Sequence, residues 1–385
     1  MPRQHRTSTS RGTGNKAKKV EASIPYASGF SKPSVTSCQN AIGYSGPIPH
    51  EFDPSAGKNN FDFFPPIPNP SSVDDWLAQY CEEGQTYKQF LNECPWLSSR
   101  KRKYMSQDFV SSGKSIKDKY PNGKVYILPV GQFSAEDKKF FPSLIEYIQI
   151  YLGLPVGVLN EVKLDIEDGK VFWVEEPEVK VQSKQRRSKR VKRHQLTSRF
   201  NLETEHLQVG VDSNLFQLRN LIPDDAICMI GLTMLDLFGE NSDLFVAGMA
   251  AGNQRVAIFS LYRYDPCLSF STEHWFQIEN DHKMPHKDRQ RVILQRGCKL
   301  VVHEICHLLG IDHCIFYDCC MNGSGHLSED FRQPMHLCPV DLRKLHSLVG
   351  FNVLDRYRAL LEFYKTHGFS EEQDWVKKRI EHIQS

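Results

Sequence analysis

The stretch His303-Glu304-Ile305-Cys306-His307-Leu308-Leu309-Gly310-Ile311-Asp312-His313 constrains this chain more than any other. On a helix, His303 and His307 lie one turn apart on the same face, so both can reach one metal ion. Glu304 sits beside them, placed to take a proton from a water molecule at that metal. Gly310 can end the helix in a left-handed conformation. The chain then turns back and offers His313 as a third ligand. Three protein ligands leave one tetrahedral position open, which is how a catalytic zinc site differs from a closed structural one. The motif needs a helix to carry it, and Val292–Leu309 reads as a mostly apolar buried helix that Gly297 can interrupt.

Composition bounds the rest. The chain has 385 residues, 40% hydrophobic and 24% charged, with a net charge of +2. Those values fit a globular protein of one large domain or two modest ones. No run of 18 or more apolar residues is free of charge, so no membrane span is expected. The N-terminal Met1-Pro2-Arg3-Gln4-His5-Arg6 lacks an apolar core after its basic residues, so a secretory signal is not expected. The expected setting is the cytoplasm, the nucleus or both. Eleven cysteines without a secretory signal argue against a disulfide framework. Five of them, Cys306, Cys314, Cys319, Cys320 and Cys338, crowd around the histidine motif and point to metal instead.

Along the chain, residues 1–70 are rich in Ser, Thr, Gly, Pro and Asn and read as a disordered tail. Residues 71–123 read as an N-terminal arm, with a short helical pattern over Val73–Tyr80. A compact domain is expected over 124–367. Val125–Val130 reads as a buried strand, Ala135–Leu152 as a helix and Val156–Leu164 as a second strand. This is a strand–helix–strand unit of a mixed α/β sheet. Leu207–Val211, Ala226–Leu232 and Arg255–Leu261 are further strands, and Leu244–Ala250 is a candidate edge strand facing the cleft. A basic loop is expected to interrupt the domain at 180–197, with seven basic residues in the ten from Lys184 to Arg193. It reads either as a nuclear-import or anion-binding patch or as a solvated loop. Val340–Val349, Leu354–His367 and Glu371–Ile383 read as helices of a C-terminal helical subdomain, with 368–385 as the terminal helix. No nucleic-acid module is legible, because the cysteine spacing fits no finger.

Beyond His313 come Cys314, then Cys319-Cys320-Met321, then Leu337-Cys338-Pro339-Val340-Asp341. HExxHxxGxxH followed by C-x4-C-x-M and a CPxC-like knuckle resembles the archaemetzincins, zinc metallopeptidases of the metzincin-like group. The likeness runs from near Lys124 to near His367. Gly231–Leu237, Asn322-Gly323-Ser324 and Leu354-Asp355-Arg356-Tyr357 are similar too. The resemblance implies a zincin-like α+β fold with an active-site helix. It implies two zinc ions, one catalytic on His303, His307 and His313 with Glu304 as general base. The other would sit on Cys314, Cys319, Cys338 and the last knuckle position. Here that position is Asp341 rather than Cys, and the neighbouring Cys320 could substitute. Carboxylate oxygen is an accepted zinc ligand. Met321 resembles the turn methionine that floors the histidines. Cys306 needs no role beyond a small buried side chain. The implied activity is hydrolysis of short peptides, aminopeptidase-like. The alternative is a catalytically weak, zinc-stabilised binding or regulatory protein.

Overall fold

The computed structural model describes residues 24–55, 63–97, 115–175, 191–268 and 284–385. Its centre is a five-stranded sheet of order β10-β11-β8-β1-β2. The strands are β1 (Lys124–Val130), β2 (Val156–Val158), β8 (Ala226–Thr233), β10 (Gly248–Ala251) and β11 (Val256–Ser260). β8 is buried at every position. Such unbroken apolar runs are what a parallel sheet covered on both faces requires. β11, β8, β1 and β2 are indeed parallel, and only the edge strand β10 runs antiparallel, on β11.

Alternate residues of each strand feed two cores. Val125, Ile127, Cys228, Ile230, Ala257 and Phe259 join the larger one. That core also takes side chains of helices Phe141–Leu152 and His286–Leu308 and of the C-terminal helices Pro339–Val349, Val353–His367 and Ser370–Gln384. Leu128, Val130, Met229, Val256 and Ile258 join the smaller core with Leu215 and Leu218 of helix Val211–Arg219. Two three-stranded sheets complete the mixed α/β fold. One comprises β3 (Lys163–Glu167), β4 (Lys170–Glu175) and β5 (Lys192–Leu196), and the other β6 (Ser198–Asn201), β7 (His206–Gly210) and β9 (Asp236–Phe238).

Several expectations are corrected. Val156–Leu164 is not one strand. The segment follows β1 through Leu159 N–H to Ile127 O and Val162 N–H to Pro129 O. The contact ends at Gly131 (φ +83°), whose N–H donates to Val162 O (2.8 Å), and from Lys163 the chain pairs with β4 in a different sheet. The edge strand starts at Gly248 rather than Leu244, and Val246 makes only an isolated bridge to Leu237. The backbone closes on β11 where a side chain is missing, since a Cβ at Gly248 would lie 2.0 Å from the Phe259 ring. Gly297 does not break the helix that carries His303 and His307, which is continuous over His286–Leu308, and its missing side chain admits Leu261. Of the basic run, Lys192 and Arg193 belong to β5, where Arg193 pairs with Asp165 (3.4 Å) and Glu167 (2.8 Å) on β3. Residues 184–190 lie outside the described residues.

The disordered tail expected over 1–70 is corrected for residues 24–55 and 63–70. Val35–Ile42 is a helix, and Phe30, Ile42, Phe52, Phe63, Phe64 and Ile67 are buried in the main core. These large side chains follow an extended, Pro-rich path with no period to reveal them. The path ties to the far end of the chain: Trp375 Nε1 donates to Phe63 O (3.2 Å) and Arg379 Nη2 to His50 O (3.1 Å). Helical structure within Val73–Tyr80 is confined to Trp76–Gln79. Further on, buried Trp96 donates Nε1 to Leu308 O (3.1 Å), capping an open carbonyl at the end of the helix His286–Leu308. Trp96→Phe leaves that carbonyl unpaired in the core, and an unpaired buried acceptor costs about 1–3 kcal/mol. The urea midpoint should fall accordingly; an unchanged midpoint would show that the cap contributes nothing.

Candidate metal centre

The helix His286–Leu308 ends in a Schellman motif. Gly310, at φ +83°, donates its N–H to His307 O (2.9 Å), and Ile311 donates to Cys306 O (3.0 Å). This turn brings His313 back toward the helix. Ring centroids are 4.7 Å apart for His303 and His307, 4.9 Å for His307 and His313, and 5.6 Å for His303 and His313. Gly310→Ala is expected to cost about 1–2 kcal/mol, the penalty of a left-handed L residue. The added Cβ would also press on Cys94 Sγ at 3.1 Å. Thermal denaturation of the variant checks this, and an unshifted midpoint would refute the strain.

Hydrogen bonds fix which ring nitrogen each histidine presents. His303 Nδ1 donates to Cys320 O (2.6 Å), His307 Nδ1 to Ile311 O (2.8 Å) and His313 Nδ1 to a carboxylate oxygen of Glu82 (2.7 Å). Carbonyl and carboxylate oxygens only accept, so each proton sits on Nδ1 and each Nε2 carries a lone pair. Those lone pairs converge. His303 Nε2 and His307 Nε2 are 3.0 Å apart, and one ligand nitrogen from each of the three rings falls within 4.8 Å of the others. Bonds of 2.0–2.1 Å to a tetrahedral zinc would set such nitrogens about 3.3 Å apart. The donor set therefore fits zinc. Burial, then the charge of neighbouring imidazoles, pushes His303 down to about 4 and His307 down as well, keeping both in the neutral ligand form.

Glu304 follows His303 on the helix, half-buried, and no described side chain or backbone group is hydrogen-bonded to its carboxylate. Burial and then the Asp330 charge push its carboxyl up to about 8. A dication among the histidines would draw it back down. Lys299, one turn earlier, is buried and donates to the carbonyls of Asp330, Phe331 and Gln333 at 2.8–2.9 Å. It holds the segment after Met321 against the helix. Met321 is fully buried, and its carbonyl accepts the Cys314 N–H (2.7 Å).

A second group forms where the turn meets helix Pro339–Val349. Cys314, Cys319, Cys338 and Asp341 bring one ligand atom each within 4.8 Å of the others, all buried. Cys314 Sγ and Cys338 Sγ are 3.6 Å apart, and Asp341 Oδ2 lies 3.3 Å from both Cys319 Sγ and Cys338 Sγ. Asp341 thus stands in the fourth place. Its Oδ1 accepts from Lys344 Nζ (2.8 Å), and neither side chain is exposed. Three thiolates and a carboxylate around a dication leave excess negative charge, which Lys344 offsets in part. Cys320 is outside the group. It is buried near Tyr151. Cys306 is a core residue of the helix.

Sequence reasoning missed Lys344 and Glu82. Lys344 was legible as an i, i+3 partner of Asp341 on one helix. Glu82 was not, because 231 positions separate it from His313.

The model of Peptidase family M54 matches residues 197–347. Archaemetzincin-2 of Mus musculus is 36% identical over 196 residues, 48% of this chain and 54% of that protein. The chain thus spans about half the length of the rodent relatives it matches. Archaemetzincin-2 of Macaca fascicularis is 31% identical over 318 residues, 78% of this chain and 75% of that protein. Among solved structures, the archaemetzincin of Methanopyrus kandleri aligns with 60% of this chain and 97% of its own. The identity is 18% and the TM-score 0.38, too loose to transfer geometry.

Proposed function

Since the chain belongs to the archaemetzincins, peptidase family M54, we propose that it is a zinc metallopeptidase that hydrolyses short peptides, trimming them from the amino terminus. The observation that carries this reading is the convergence of three Nε2 lone pairs, each aimed by a hydrogen bond at the opposite ring nitrogen. A dication is the species that relieves their mutual repulsion. Bound there, zinc would supply Lewis acidity, lowering the pKa of a water and polarising the peptide carbonyl.

Glu304 then acts as general base. It lies next to His303 with a carboxylate that no described residue hydrogen-bonds, takes a proton from the attacking water and delivers it to the leaving amine. An extended substrate can add to the outer edge of β10, where no described strand pairs. β10 offers only four residues, Gly248–Ala251, which supports short peptides over long ones. We read the Cys314, Cys319, Cys338 and Asp341 group as a second, closed zinc site with a structural role, since all four ligands are buried.

The test is a mass-spectrometric cleavage profile on a mixed peptide library, using the zinc-loaded chain. Products shortened from the amino terminus support the whole reading. Internal cuts keep the peptidase and overturn the trimming. An uncut library, with zinc bound and the chain folded, overturns both.

A further inference from the structure

We propose that Glu82 is a positioning residue for His313, so that the N-terminal arm builds part of the metal centre. This rests on the reading that the three histidines hold zinc. His303 and His307 are oriented by the helix that carries them and by the backbone carbonyls of Cys320 and Ile311. His313 lies beyond the helix, in a turn, and its Nδ1 proton goes to a side chain from the arm. Glu82 and His313 are both largely enclosed, at 19% and 25% exposure of the side chain. A carboxylate behind a ligating imidazole fixes its tautomer and orientation and raises its basicity.

The carboxylate is itself held. Glu82 Oε1 also accepts from Trp76 Nε1 (2.6 Å), and the Trp76 ring stands edge-on to His313, centroids 5.2 Å apart. Trp76 in turn lies on Gly323, where a Cβ would come within 2.4 Å of the indole, and its backbone N–H donates to Glu329 (2.9 Å). Two residues past Glu82, Gly84 (φ +69°) lets the arm approach Ile315, which a Cβ would meet at 2.5 Å. Gln85 brackets the same turn: its Nε2 donates to Gly310 O (3.2 Å) and Asp312 Oδ2 (2.9 Å), and its Oε1 accepts the Asp312 N–H (3.3 Å). The arm is therefore keyed to the turn that carries the third ligand. The region matched to the family, 197–347, contains all three histidines and none of this arm.

The experiment compares zinc retention in the full chain and in Glu82→Ala, Glu82→Gln and His313→Ala, by competition with a chromophoric chelator. The thermal midpoints of the zinc-free proteins are measured alongside. Glu82→Ala should weaken one zinc ion by about 10–100-fold, the usual effect of losing such a partner. Retention of any other zinc ion and the zinc-free midpoint should stay as in the parent. Glu82→Gln, which keeps an acceptor oxygen but no charge, should fall between. If Glu82→Ala holds zinc as the parent does while His313→Ala loses an ion, the positioning role is overturned and the zinc site stands. If His313→Ala also holds zinc as the parent does, the zinc reading itself fails. If the zinc-free midpoint drops in Glu82→Ala and all metal is weakened together, the arm only supports the fold and the proposal is overturned.

Discussion

Glu304→Gln is expected to keep zinc at parental affinity and to lose about 10²–10⁴-fold in turnover, the range that general acid–base catalysis contributes. The substitution preserves shape and hydrogen-bonding capacity but removes the group that exchanges protons with water and with the leaving amine. No hydrogen bond of a described residue depends on the Glu304 carboxylate, so the fold should not register the change. The three Nδ1 contacts that aim the histidines run to Cys320, Ile311 and Glu82, all independent of Glu304. Turnover of the library-derived substrate, measured beside metal content, separates the possibilities. A variant that cuts as fast as the parent would remove Glu304 from the chemistry. One that also loses zinc would mean that the carboxylate supports the ligands rather than the reaction.

The second large effect concerns the buried thiol group. Cys338→Ser should lower the zinc content by one ion and destabilise the chain by about 4 kcal/mol, the linkage value when free zinc stands about 1,000-fold above the dissociation constant. For a domain of this size that lowers the thermal midpoint by on the order of 10 °C. Cys338 also precedes the helix Pro339–Val349 and donates its backbone N–H to Cys319 Sγ (3.1 Å), so it joins the metal-ligand turn to that helix. Without metal, the Asp341–Lys344 pair and the remaining thiols would stay buried with no cation at their centre. Unchanged zinc content in Cys338→Ser would mean that this group is a hydrogen-bonded cysteine cluster and no metal site.

Much of the fold was legible from period alone. β1, β7, β8 and β11, the C-terminal helices and, from Phe141 on, the helix expected over Ala135–Leu152 fall where apolar runs or helical spacing placed them, because each is a regular element burying a regular face. The failures share a cause. The N-terminal path is irregular, so its buried Phe52, Phe63 and Phe64 carry no period. Gly297 looks like a breaker in a sequence, yet it marks a close approach by Leu261.

The sequence by itself determined that three imidazoles could meet at one point, since His303, His307, Gly310 and His313 are spaced by helix geometry and a local turn. It equally placed Asp341, a carboxylate, three residues after Cys338 on the same helical turn. Tertiary structure alone decided what orients those groups. It turned Cys320 out of the thiol group and set the Cys320 carbonyl behind His303. It also brought Glu82 to His313 across 231 positions. Local spacing is written in the chain because helices and turns repeat. The hydrogen bonds that aim each imidazole depend on which distant segment packs there, and packing follows from shape rather than from any pattern along the sequence.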